Sequence, residues 1–442
     1  MTGIRSAARW LLRGEANVSA TLDSLSVEIR EVQHRLDALV ESSAARDEDV
    51  AALGRRLDRL TEDAQSRAAA DAWPTADPLR TDGVNVVGYL QRQLGIGAVA
   101  RRIVEILRSA DAPTSAIAFG ATSSRPISES FALDQRIDFT ASLAVVAADQ
   151  LGLLEQHHPE LRATSERLAG YCFWELDRIT DDMRAGCELV DEVWTATRFT
   201  HDAFADADVP VRLVPITIPE PVSSGRERSE FAPLSGAGDR PVVGLTFDHF
   251  SVLDRKNPLG AIEAFRRAFT PDEGPLLVVK TMNGHVAADA HDRLVAAAAE
   301  RPDVVVWDRH LSSPDQAAFI AGLDLLVSLH RSEGLGLHLA EAMWLGTPVI
   351  ATGYSGNVDF MDRSCAALVG HELVEIGASE GGGIYPPGAR WADPDLDEAA
   401  DHLRRLIDDS TARSELARAA RSRMESQPDD ATTARSILDA FG

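Results

Sequence analysis

The stretch Leu329–Asn357, LHRSEGLGLHLAEAMWLGTPVIATGYSGN, decides how the chain folds. Just ahead of it, Leu323 to Leu329 runs without polar alternation, which is how a strand buried on both faces reads. A short turn then holds Glu333, Gly334 and Gly336. From Leu337 to Leu345 the apolar spacing becomes helical, and Gly346-Thr347-Pro348 closes that helix. Pro348 to Thr352 is a second buried strand. Strand, glycine turn, helix and strand make a right-handed crossover, with a helix N-terminus at the carboxyl edge of a parallel sheet.

That edge favours anions, because the free amides of the helix's first turn and its dipole attract phosphate and glycines let a ligand approach the main chain. Glu333 and Glu341, with seven residues between them, are about two helical turns apart, so both can face one ligand. Carboxylates do not bind phosphate, but they accept hydrogen bonds from sugar hydroxyls. Phosphate at the amides with a polyol at the carboxylates describes a nucleotide sugar. Taken alone, Glu333 also reads as a favourable charge at a helix start and Glu341 as a solvated position. Ala340, Ala342 and Met343 around Glu341 argue against a solvated face.

The segment resembles the donor-site signature of the retaining family 4 glycosyltransferases of the GT-B fold, where two Glu enclose seven residues in a Glu-Gly-Phe-Gly-Leu context. Leu335 stands where that family usually has Phe, and His338 where many relatives have Pro. The resemblance implies an α/β fold of two Rossmann-like domains facing a cleft. It also implies donor-sugar hydroxyls at Glu333, the ribose diol at Glu341, and the sugar and distal phosphate at the amides of Gly334, Leu335, Gly336 and Leu337.

With 442 residues the chain can build more than one core, and its net charge of -25 argues against nucleic acid as a partner. Three cysteines, Cys172, Cys187 and Cys365, without a close-spaced pair fit a reducing compartment and supply no zinc site. No apolar run approaches the roughly 20 residues of a spanning helix, and no secretory signal is visible. The expected location is cytoplasmic, with peripheral contact at the inner face of the membrane as an option. That option comes from Arg5, Arg9 and Arg13 interleaved with Ile4, Trp10, Leu11 and Leu12.

Apolar residues recur at steps of four and three from Val18 to Leu60, interrupted in phase at Ser43 and Arg46. A sustained 3.5-residue period predicts a coiled coil and hence self-association, most simply a dimer. Residues 1–70 are thus a basic N-terminus and coiled coil, and 71–82, with Pro74 and Pro78, a linker. Residues 83–215 read as the first α/β domain, 216–240 as a second linker, and 241–429 as the second α/β domain. The last helix, Thr432 to Phe441, returns to the first domain by the same resemblance.

In the first domain Val84 to Tyr89 is a strand and Gly95-Ile96-Gly97 opens a helix. The pair Gly95 and Gly97 is a weak signal by itself, but resembles the glycine loop that faces the donor diphosphate in this family. GYCFWELDR (Gly170–Arg178) brings Trp174 and Glu175 to the carboxyl end of a strand, where Glu175 is a candidate for acceptor or donor-sugar contact. In the second domain Arg255 and Lys256 precede the helix opened by Pro258, and Lys280 lies late in the apolar strand Leu276–Lys280. A buried lysine there is costly unless it meets an anion. Lys256 matches the family's diphosphate-binding lysine. The usual arginine is replaced by Phe250, leaving Arg255, Lys280 or Arg331 to substitute. Arg309 is placed near the nucleobase and the Tyr354–Asn357 loop near phosphate. Asp393 and Asp395 precede a helix and read as capping residues, so no metal site and no cofactor are expected.

The implied activity is retaining, metal-independent transfer of a hexose from a GDP- or UDP-linked donor to a glycan or lipid-linked acceptor, in cell-envelope or surface-polysaccharide synthesis. Two other readings stay open: a sugar-nucleotide epimerase or phosphorylase on the same fold, and a non-catalytic coiled-coil scaffold that binds nucleotide sugar.

Overall fold

The computed structural model describes residues 72–442 apart from 123, 128–130, 272–273, 378–379, 382–383 and 387. The basic N-terminus and the heptad stretch lie outside the described residues. The first domain is a parallel sheet in the order β2-β1-β3-β4-β5-β6. Its strands are β1 (Thr75–Gly88), β2 (Thr114–Ala118), β3 (Ile137–Val145), β4 (Arg167–Tyr171), β5 (Glu192–Thr195) and β6 (Val211–Leu213). Helix α1 (Gly95–Ser109) follows β1 and buries Val99, Ile103, Val104, Ile106 and Leu107 on one face, the spacing of an amphipathic helix.

The proposed linker 71–82 is instead largely strand. β1 begins at Thr75, and its polar half pairs with β3 at Thr75 opposite Ile137 and Arg80 opposite Phe139, with register shifts between. Only the strand's last six residues are buried, so its exposed half carries linker-like composition. The second linker is also shorter than 216–240. Phe231 and Leu234 are buried, Phe231 lies 5.7 Å from Phe319, and Arg228 pairs with Asp324 at 2.8 Å. Two apolar anchors in a polar stretch thus tie its second half to the second domain.

That domain is a parallel sheet in the order β12-β11-β10-β7-β8-β9. Its strands are β7 (Val242–Asp248), β8 (Leu276–Met282), β9 (Val304–Asp308), β10 (Leu325–Ser328), β11 (Val349–Thr352) and β12 (Ala367–Val369). Around it lie α2 (Pro258–Ala268), α3 (Ala288–Ala299), α4 (Ser313–Ala321), α5 (Leu337–Trp344), α6 (Leu396–Asp408) and α7 (Ser410–Glu425). Alternate residues of β8 divide between two cores. Leu276 and Val278 join Phe319 of α4 and Leu339 and Met343 of α5, whereas Leu277 and Val279 join Phe265 of α2 and Leu294 of α3. Strand order reverses between β7 and β10, the switch point at which ligands bind open α/β sheets.

An antiparallel hairpin, β13 (His371–Glu375) with β14 (Arg390–Pro394), was not legible in the sequence. The final helix α8 (Asp430–Phe441) packs on the first domain. Asp430 pairs with Arg102, and the Phe441 ring lies 4.6 Å from that of Trp194. One apolar core therefore runs through both sheets and the C-terminal helices. Among the described residues no helix is long and apolar enough to cross a membrane.

Candidate active site

The loops that follow β7 and β10 at the switch point are locked together by main-chain chemistry. Asn257, at a φ of 49°, caps α2 by accepting from the Gly260 amide at 3.1 Å and donates to the Leu329 carbonyl at 2.9 Å. The Arg331 amide donates to the Arg255 carbonyl at 2.7 Å, and the Arg255 guanidinium donates to the Ser332 carbonyl at 2.8 Å. On the other side, the Glu333 amide donates to the Ser355 hydroxyl, and the Gly356 amide to the Glu333 carbonyl, each at 2.8 Å. A Cβ on Gly356 would stand 2.2 Å from the Gly334 carbonyl oxygen, so only glycine allows this approach. Gly336, at a φ of 87°, then turns the chain into α5 without a side-chain cap, so the helix's first turn has no side-chain acceptor.

Within this scaffold Glu333 is buried and pairs with both cations: it is hydrogen-bonded to the Lys256 ammonium and lies 3.3 Å from Arg255 Nη1. Burial alone would lift the Glu333 carboxyl; Lys256 and Arg255 outweigh it and hold the group well below the usual carboxylate range. Burial also draws the Lys256 amine down, with Glu333 opposing. Glu175 arrives from the first domain, 3.7 Å from Arg255. The structure thus brings together Glu175, Arg255, Lys256 and Glu333.

Three polar residues to which the sequence analysis gave no role in the site complete the cluster. Buried His330 bridges the Ser328 hydroxyl and Asn357 Oδ1, each at 3.0 Å. His338 lies 3.4 Å from the same hydroxyl, and burial followed by the Lys256 charge holds it down at about 3, so it is neutral. Tyr385, from the loop between β13 and β14, lies against Arg255, Glu175 and Glu333, and burial raises its phenol well above the ordinary value. His338 was visible as the replacement of a usual Pro. Tyr385, over fifty residues from Glu333 in sequence, carried no signal.

Around these groups the two domains close on each other. Trp174 meets Tyr385 edge-on with ring centres 5.6 Å apart, and Leu176, Ile376 and Trp391 are buried with them. Arg178 donates to the Gly388 carbonyl at 2.7 Å, Arg390 pairs with Asp177 at 3.1 Å, and the Thr197 hydroxyl donates to the Gly334 carbonyl at 2.9 Å.

The other expected positions divide. Glu341 is half-buried one turn from His338 on α5, and burial pushes its carboxyl up to about 7. Lys280 is buried late in β8. Arg331 is turned instead to Asp393, at 3.1 Å, and to the face of Trp391, away from the Glu333 cluster. Gly97 packs beneath its own loop, a Cβ there being 2.6 Å from the Tyr89 carbonyl oxygen, whereas Gly95 has open space at the start of α1. Arg309 is exposed after β9. Asp395 caps α6 by accepting from the Asp397 and Glu398 amides, and among the described residues no group of three or more His, Cys, Asp or Glu is placed to hold a metal.

This arrangement can hold an anion at a helix N-terminus beside a lysine, and a polyol at carboxylates. The fold is that of GT-B glycosyltransferases. The chain is 14% identical to sucrose-phosphate synthase from Thermosynechococcus elongatus, with 82% of this chain and 98% of that one covered and a TM-score of 0.58. With Anabaena HepE, solved with UDP and glucose, identity is 14%, coverage 81% and 99%, and the TM-score 0.56. With WaaG, a glycosyltransferase involved in lipopolysaccharide biosynthesis, they are 15%, 81% and 98%, and 0.51. The chain spans 55% of the length of S. aureus TarM, at a TM-score of 0.48. No curated protein matches it in sequence. The model of the family 4 glycosyltransferases in conflict systems matches residues 195–437, more than half of the chain, from the end of β5 through most of α8. By that match the chain belongs to the family 4 glycosyltransferases in conflict systems.

Proposed function

We propose that the chain is a retaining glycosyltransferase that moves a hexose from a UDP- or GDP-linked donor to an acceptor hydroxyl without a metal. The observation that carries this reading is the pairing of Lys256 with buried Glu333 beside the uncapped N-terminus of α5. The α5 amides and Lys256 receive the diphosphate and stabilise the charge that grows on it as the glycosidic bond breaks. Glu333 fixes Lys256 and accepts from donor-sugar hydroxyls, and Glu341 takes the ribose diol. Glu175 faces them from the first domain, on the acceptor side. Retention follows from front-face attack, the leaving phosphate accepting the acceptor's proton, so no protein nucleophile is required. The UDP and glucose bound in HepE support a uridine donor.

In this reading residues 83–215 with 430–442 receive the acceptor and 241–429 the donor. The glycan or lipid-linked acceptor of envelope synthesis, and peripheral membrane contact, rest on the basic residues Arg5, Arg9 and Arg13; self-association rests on the heptads of residues 18–64.

Thermal-shift titration with UDP, GDP, ADP and their hexoses tests the reading, since a ligand that binds only the folded state raises its stability with the logarithm of concentration over Kd. A shift with at least one sugar nucleotide, lost in Glu341→Ala, is expected, as is product only when an acceptor is supplied. Unchanged donor affinity in Glu341→Ala, or turnover that needs no acceptor, would overturn it.

A further inference from the structure

We infer that Lys280 is the nucleobase-reading residue of the donor site, donating to a keto oxygen of the base; the inference rests on the donor reading above. Lys280 is 2% exposed, and it makes no hydrogen bond or ion pair among the described residues. The two carboxylates whose charge reaches it, Asp248 and Asp308, hold other donors. Asp248 accepts from the Phe250 amide and the Asn283 side chain, and Asp308 from the Thr281 hydroxyl and the Gly284 amide. The side chain is buried while its ammonium is not among the fully enclosed polar atoms, so the charge is shielded along its stem and open at its tip to an acceptor that a bound ligand supplies.

The side chain's direction follows from strand parity. Lys280 shares its face with Leu276 and Val278, which pack with α4 and α5, so it lies under the slot between those helices. It is opposite Thr246 of β7 and Trp307 of β9. Gln316 of α4 donates to the Thr246 hydroxyl at 3.1 Å, and its own buried carbonyl oxygen has no partner. The slot floor therefore offers an unused donor and an unused acceptor near each other.

Position separates this site from the diphosphate. The α5 N-terminus follows β10, and β8 is two strands away across β7, about 10 Å at the usual strand spacing. A nucleotide whose phosphates meet the α5 amides, and whose ribose meets Glu341 as proposed above, lays its base toward β8. Lysine offers donors only, so the group it meets must be an acceptor. Uracil, thymine and guanine present keto oxygens there. Adenine presents an amino group beside its ring nitrogen, and that donor opposes the ammonium.

The test is isothermal titration of the full chain and of Lys280→Met with UDP, GDP, ADP and inorganic pyrophosphate. The wild type should bind UDP or GDP at least tenfold more tightly than ADP. Lys280→Met, which keeps the side chain's length, should lose that preference and leave pyrophosphate affinity unchanged. Equal loss of pyrophosphate and nucleotide affinity would place Lys280 on the diphosphate and overturn the inference, as would an unaltered preference in the variant. A wild-type preference for ADP would overturn it without any variant. Failure of the wild type to bind any nucleotide would instead sink the donor reading itself.

Discussion

Glu175 of the first domain and Arg255 of the second stand 3.7 Å apart across the cleft, and the same guanidinium lies 3.3 Å from Glu333. Two cations, Arg255 and Lys256, are thus balanced by two carboxylates from opposite domains. In the donor reading proposed above, a diphosphate is drawn to the α5 amides more than to a net positive site, and Glu333 sets how much of the Lys256 charge it feels.

Replacing Glu333 by Gln should separate binding from chemistry. The freed cations should tighten a bare nucleoside diphosphate several-fold, while transfer falls by two orders of magnitude or more. Stability should drop by about 3–5 kcal/mol, because buried Arg255 and partly buried Lys256 lose a partner. Because the folded carboxyl lies below its unfolded value near 4.3, its stabilisation is present above that pH and is lost as pH falls through the folded pKa. The gap between variant and wild type in chemical denaturation should therefore narrow below pH 4.

Glu341 has the opposite sign. Its folded carboxyl titrates near 7 because of burial, above the unfolded value, so wild-type stability declines as pH rises from about 4.3 to 7. Glu341→Gln should gain about 1–2 kcal/mol at pH 8 and nothing at pH 4, allowing for partial exposure. Melting temperatures at both pH values, measured beside donor affinity, would expose this trade of stability for function.

Gly356→Ala should cost several kcal/mol, since its Cβ would collide with the Gly334 carbonyl oxygen and spread the turn that holds Glu333. Gly95→Ala has open space and should fold as well as the wild type. A fall in kcat/KM with unchanged melting temperature in Gly95→Ala would report a substrate close to the α1 N-terminus.

Tyr385→Ala should open the apolar cluster with Trp174, Leu176 and Trp391, costing about 3–5 kcal/mol, as for other large-to-small core changes. Asp177→Asn removes only the charge of the half-buried partner of exposed Arg390 and should cost less than about 1 kcal/mol. Equal effects of the two in denaturant melts would mean that charge, not packing, joins the domains here.

Much of this protein was legible in the chain itself. Parallel strands buried on both faces leave unbroken apolar runs, so β8, β10 and β11 stood out, with the helices that begin at Pro258 and Leu337. The glycines and Glu333 marked the α5 turn because main-chain geometry restricts which residues can occupy it. What the order of residues could not disclose was pairing at a distance. The polar half of β1 becomes strand only because β3 lies beside it, and Phe231 anchors its segment only because Phe319 and Trp307 are there. Arg331 turned to Asp393, Tyr385 reached Arg255, and Glu175 crossed between domains through contacts between residues far apart in sequence. Local periodicity records which face of an element is buried. Which charge neutralises which is settled only when separate loops are brought to one edge and burial makes an unpaired ion costly.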